Sequence, residues 1–149
     1  MQLSEQLEAY LTQQGIPTRD YRTGQPEGED DQILYWGESM GPQPTTEQLT
    51  QAEQHQGVLN RLAQCVLAAQ TYLDSFAKTK GYDNIRSAIS YLNDPYPQFA
   101  ADALVALHWR SAVWQKAIEI ETAVKNGTQE CPKSVEEFLA LLPNLSWTT

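Results

Sequence analysis

Apolar side chains recur at helical spacing in five stretches of the chain and gather into two short β-prone runs between the first and second of them. Leu3, Leu7 and Leu11, with Tyr10 beside them, predict a first helix that starts at the N-terminus or at Ser4. Gly15 and Pro17 end it, because glycine accepts the left-handed closing conformation and proline cannot continue the hydrogen-bond ladder. The runs DYRT (20–23) and QILYW (32–36) flank the link GQPEGEDD, which predicts a two-stranded hairpin with a loop longer than the tight types. A lone hairpin is marginal in water, so this one must lean on a helix or on a partner.

ESMGPQP (38–44) is a linker by composition, and Thr45 with Gln48 makes a capping box for a long second helix. Its predicted apolar face is Leu49, Ala52, Val58, Leu59, Leu62, Val66, Ala69, Tyr72, Leu73 and Phe76, and Gly81 stops it behind Lys78 and Lys80. Asp83 is the expected cap of a short third helix facing inward through Ile85, Ala88, Ile89 and Leu92. Asn93 to Pro97 breaks it. A fourth helix then runs to Asn126, with Phe99, Ala103, Leu107, Val113, Ala117, Ile118 and Val124 as its expected stripe and Gly127 beyond it. Trp109 and Trp114 fall about 140° apart on this helix, on opposite flanks of the stripe, one for the core and one for a neighbour. Ser134 and Glu137 form a capping box for a fifth helix that turns Phe138, Leu139 and Leu142 inward, and Leu145 and Trp147 tuck the tail back.

The architecture expected from this pattern is mainly α. A small N-terminal helix plus β-hairpin unit (1–44) leads into a C-terminal helical bundle (45–149) of about four helices. The broad apolar stripe of the second helix serves either an intramolecular bundle or a trimeric coil, so a homo-oligomer is an open expectation.

Composition narrows the chemistry. The 149 residues are 41% hydrophobic, enough for one compact domain with an appendage. No window approaches the roughly 18 apolar residues of a membrane span, and MQLSEQLEAYL lacks the pattern of a signal peptide, so synthesis in a cytoplasm is expected. Cys65 and Cys131 are too few to staple the fold and stand at no metal-ligand spacing; both are read as reduced and mostly buried. Ten Lys and Arg against 19 Asp and Glu give a net charge of −9, which opposes binding to a phosphate backbone.

No residue pattern supports catalysis. His55 and His108 stand apart from any nucleophile or carboxylate arrangement, and neither a catalytic residue nor a cofactor can be nominated. The acidic loop Glu27, Glu29, Asp30, Asp31 lacks the alternating ligand pattern of a calcium loop and reads as a solvated hairpin tip, not a metal site. Arg86 and Arg110 are expected to find internal ion-pair partners among Asp83, Asp94 and Asp102. The aromatic residues are left to mediate contacts between proteins: Tyr21, Tyr35 and Trp36 on the hairpin first, then Tyr82, Tyr91 and Trp114. A hairpin without a third strand can also add to a partner's sheet edge.

Gly81 to Tyr91 reads GYDNIRSAISY, and it is followed by Pro97, Phe99, Ala100, Ala103, Trp109, Arg110, Val113 and Trp114, then by PKSVEEFLALLP (132–143). This string, over roughly residues 70 to 147, resembles the C-terminal helical module of tail proteins encoded by tailed bacteriophages and prophages: fibre and baseplate-associated components, or small proteins encoded beside the fibre. Upstream, ILYWGESMGPQPTTEQL looks like the strand, tryptophan, proline and helix start of small phage proteins encoded next to tail fibres. The resemblance implies a non-enzymatic structural or assembly role in a virion tail, with a fibre or baseplate protein as partner. A transient fibre-folding chaperone, absent from the finished particle, is the alternative. A small acidic inhibitor that mimics nucleic acid is suggested by the charge alone.

Overall fold

The structure is a computed structural model that describes residues 2–147 apart from 18, 27 and 28. It is mainly α, with helices α1 (Leu3–Gln14), α2 (Thr46–Lys78), α3 (Ile85–Ser90), α4 (Pro97–Lys125) and α5 (Val135–Ala140). Between α1 and α2 lie strands β1 (Tyr21–Gly24) and β2 (Gln32–Trp36) and one turn of 3-10 helix, Glu38–Met40. The chain divides into two compact units, Met1–Leu59 and Asn60–Thr149, so the division falls inside α2 and not in the linker that composition suggests.

The first unit is built on α1. Gln2 caps this helix, its side chain and that of Glu5 forming a reciprocal box at the N-terminus. Leu7, Ala9 and Leu11 are buried, as are Met40, Leu49 and Ala52, which the linker and the opening turns of α2 bring into the same unit. The Gln6 amide donates to the Glu53 carboxylate at 2.6 Å, linking α1 to α2 by side chains. Thr45 and Gln48 make the expected capping box, each side chain accepting the other's backbone N–H, at 3.3 and 2.9 Å.

β1 and β2 pair antiparallel in the order Tyr21↔Trp36, Arg22↔Tyr35, Thr23↔Ile33 and Gly24↔Gln32. Leu34 has no partner in this register. The extra residue is a bulge that flips the alternation of β2, so Ile33 and Trp36 are both half-buried although an odd spacing separates them. Leu34 lies over Gly24, where a Cβ would come within 2.5 Å of its methyl group.

The second unit buries one continuous core. It contains Cys65, Ala69, Leu73 and Ala77 of α2, Ile85 and Ala88 of α3, Ala106, Trp109, Val113, Ala117 and Ile120 of α4, and Phe138 and Leu142. Each fully buried large side chain contributes about 1.5–3 kcal/mol through removal from water. On α2, Cys65 occupies the core position expected for Val66, which is exposed. The buried stripe of α4 is rotated relative to the one expected: Phe99 and Ile118 are exposed, and Ala106, Trp109 and Ile120 are buried. Apolar and polar residues are spread around this helix without one dominant face, so spacing alone leaves its orientation open.

α2 closes at Gly81, which holds φ at 89°, where other residues are strained. There the Tyr82 N–H donates to the Ala77 carbonyl and the Gly81 N–H to the Lys78 carbonyl. The cap of α3 is Asn84, whose side chain accepts the Ser87 N–H at 2.9 Å, while the expected cap Asp83 is exposed. Asp74 of α2 reinforces this end by accepting the Ile85 N–H at 3.0 Å. Leu92, expected inward, is exposed. At α5, Ser134 accepts the Glu137 N–H at 3.2 Å, and the Glu137 carboxylate reaches Lys133 N–H, one residue before the cap, at 2.9 Å.

Candidate functional site

The hairpin residues Tyr21, Tyr35 and Trp36 divide into two clamped side chains and one exposed one. The Tyr21 hydroxyl donates to Glu8 of α1 at 2.7 Å, and the same carboxylate accepts from Arg19 at 2.7 Å. Burial, together with the hydrogen bond to Glu8, pushes the Tyr21 hydroxyl up to about 12. The Tyr21 hydrogen bond in turn holds the Glu8 carboxyl below its ordinary value, with Arg19 assisting against a smaller opposing effect of burial. Trp36 sits 6.2 Å from Tyr21, ring centroid to ring centroid, and its indole N–H donates to the Gly41 carbonyl at 2.8 Å. These two rings fasten the hairpin to its own unit. Tyr35 is 49% exposed and Leu34 59% exposed, so the outward-facing part of the hairpin is the middle of β2. A depression of about 490 Å³ lined by Arg19, Asp20, Tyr21, Arg22 and Tyr35 lies on this hairpin.

In the second unit, Tyr82 and Tyr91 are neighbours at 5.7 Å, whereas Trp114 packs half-buried against the core. Tyr82 is anchored through its hydroxyl to Asp102 at 3.2 Å. Burial and the nearby Asp102 carboxylate raise the Tyr82 hydroxyl above its ordinary value. Asp102 is itself buried and also accepts from Lys80 at 3.3 Å and from Gln98 at 3.0 Å. The ion pair expected for Arg86 or Arg110 is thus made by Lys80, whose chain position at the end of α2 brings it to the first turns of α4. Asp94 is taken by the backbone N–H of Tyr96 at 2.8 Å.

Sequence reasoning missed Tyr96 and Phe99 as surface residues. They extend a run of aromatic contacts that begins in the core: Trp109 to Phe76 at 4.8 Å, Phe76 to Trp147 at 5.1 Å, Trp147 to Tyr82 at 6.4 Å, Tyr82 to Tyr91, Tyr91 to Phe99 at 5.3 Å and Phe99 to Tyr96 at 4.9 Å. The last three rings are exposed, Tyr91 by 36%, Phe99 by 42% and Tyr96 by 58%. The sequence cue was Pro97: it fixes the helix start, and a ring at its third position points back over a solvated first turn. The expected tail docking is present, with Trp147 stacked on Phe76 and donating its indole N–H to Thr79 at 3.1 Å. Lys80 lies 5.5 Å from the Trp147 ring centre.

Among the described residues no group of three or more His, Cys, Asp and Glu is arranged to hold a metal ion. His55 and His108 are exposed, Cys65 is a buried free thiol raised by burial, and Cys131 is a half-buried free thiol. The carboxylates Glu29, Asp30 and Asp31 are exposed at the hairpin loop, and Glu27 lies outside the described residues. No helix is long and apolar enough to cross a membrane among the described residues. Of the groups with displaced protonation, Glu8, Tyr21 and Tyr82 take part in hydrogen bonds that join elements, whereas burial alone dominates at Cys65.

No protein-family model matches the chain, and neither does any curated protein or solved structure.

Proposed function

We propose that the chain is a non-enzymatic structural or assembly protein of a bacteriophage tail, associated with the fibre or baseplate and acting through contacts with other proteins. The observation that carries this reading is the exposed end of the aromatic run, Tyr91, Phe99 and Tyr96. Three rings about 5 Å apart, continuous with the core and therefore restrained, are the kind of surface that concentrates binding energy at protein interfaces. The run grows out of the GYDNI string and the Pro97 helix start, the residues on which the likeness to phage tail modules rests. The middle of β2 offers a second apolar surface, in the other unit.

Quantitative mass spectrometry of purified particles and of infected-cell lysate tests the reading. A tail component is found in the particles at a fixed copy number. A fibre-folding chaperone is found in the lysate bound to the fibre and is missing from the particles. Absence from both fractions, or turnover of a small molecule that vanishes when one titratable side chain is replaced, would overturn the proposal.

A further inference from the structure

The charge of this protein is divided very unevenly. Residues 1–59 contain ten Asp and Glu against two basic side chains, Arg19 and Arg22, whereas residues 60–149 contain nine against eight. The first unit therefore carries −8 of the net −9. Arg19 is already engaged by Glu8. The carboxylates of Glu29, Asp30 and Asp31 stand exposed where the chain enters β2.

β2 itself contains no charged residue and no proline, the usual devices that keep a strand edge from pairing. Among the described residues it has a strand on one side only. Beside its first half lies a groove of about 310 Å³, lined by Leu3 of α1, Ile33 of β2, Pro44 and Leu49, with Asp31 and Gln32 contributing to the same wall. Gln43 and Thr46 complete a mixed lining, and a trough that joins apolar side chains to polar ones and to the Asp31 carboxylate suits a Lys or Arg, whose methylene stem packs while its charge meets the acid.

We infer that β2 and this groove receive an extended, basic segment of a partner protein, which pairs along the unpartnered edge of β2 and sets a Lys or Arg against Asp31. The inference deepens the proposal above, resting on its reading of the hairpin as a partner surface. A second copy of the chain is disfavoured as the occupant by charge: its own first unit would bring another −8 to the same place. The bulge at Leu34 limits regular pairing to the Gln32–Ile33 end, which is the end that holds the groove and the acids.

The test uses the full-length protein labelled with nitrogen-15 and two capped six-residue peptides of alternating Thr and Val, one with a central Arg and the other with Glu at that position. The Arg peptide should shift the amides of Asp31 to Ile33, and its affinity should fall about tenfold or more in the triple variant Glu29→Gln, Asp30→Asn, Asp31→Asn and again on raising salt from about 0.05 to 0.5 M. The Glu peptide should leave those amides unmoved. Equal binding of the two peptides, indifference to the triple variant, shifts confined to other residues, or no shifts at all would overturn the inference. Because particle mass spectrometry is read separately, a silent titration with particle-borne protein removes the basic-strand inference alone. A positive titration with the protein missing from particles and lysate complexes removes the tail reading alone.

Discussion

Tyr21 shows how one side chain can look like a binding residue in the sequence and serve as a fastener in the fold. Burial and the hydrogen bond to Glu8 together raise its hydroxyl to about 12, and the same hydrogen bond lowers the Glu8 carboxyl. A raised tyrosine stabilises the fold fully below its ordinary value of 10.0 and loses that contribution as pH climbs through about 12. A lowered glutamate does so above its ordinary value of 4.5 and loses it as pH falls through the folded value. In an absorbance titration at alkaline pH, one of the seven tyrosines should ionise near 12, and Tyr21→Phe should abolish that step and cost about 1 kcal/mol in urea unfolding. Asn84 and Asp83 offer a sharper contrast. Asn84→Ala should destabilise by about 1 kcal/mol, and Asp83→Ala should stay within about 0.5 kcal/mol, because only Asn84 accepts a backbone N–H of α3. Asp102→Ala removes the shared acceptor of Lys80, Tyr82 and Gln98 and should cost about 2–3 kcal/mol by the same measurement.

At the scale of elements, the positions of helix ends were more legible than the orientation of helices. Capping chemistry is local, so Thr45 with Gln48, Ser134, and the closing glycine at 81 can be read directly from a few adjacent residues. Gly81→Ala places a Cβ at φ of 89° and should lower stability by about 1–2 kcal/mol, checked by the urea midpoint at unchanged slope. Orientation depends on partners. Val66 and Cys65, or Phe99 and Asp102, sit within a turn of each other, and only packing with the rest of the chain decides which is covered. Asp102 was expected in an internal ion pair but with Arg86 or Arg110, since its actual neighbours Lys80 and Tyr82 arrive from a different part of the chain. The bulge at Leu34 was hidden as well. It breaks the strand alternation that sequence patterning relies on, and nothing within QILYW announces it.

At the scale of the whole molecule, two features distinguish the units: an aromatic run that leaves the core of one and a concentration of negative charge on the other. Replacing Tyr96 with Ala and Phe99 with Gln should change stability by no more than about 1 kcal/mol, because both rings end in solvent. The same double variant should lose capture of the proposed fibre or baseplate partner in a pull-down against purified tail proteins, and retained capture would place that contact elsewhere. The candidate surfaces were only half legible. Tyr35 and Tyr91 are exposed, Trp36 and Trp114 are committed to their own units, and the exposure of Tyr96 and Phe99 emerged only once α4 was oriented. The place where the chain divides also has a practical meaning for anyone wishing to produce its halves. Cutting at the proline-rich linker would strand Leu49 and Ala52 on the wrong fragment and strip Gln6 of Glu53, leaving α1 with a bare greasy flank prone to clumping; ending the upstream piece after Leu59 keeps those companions together.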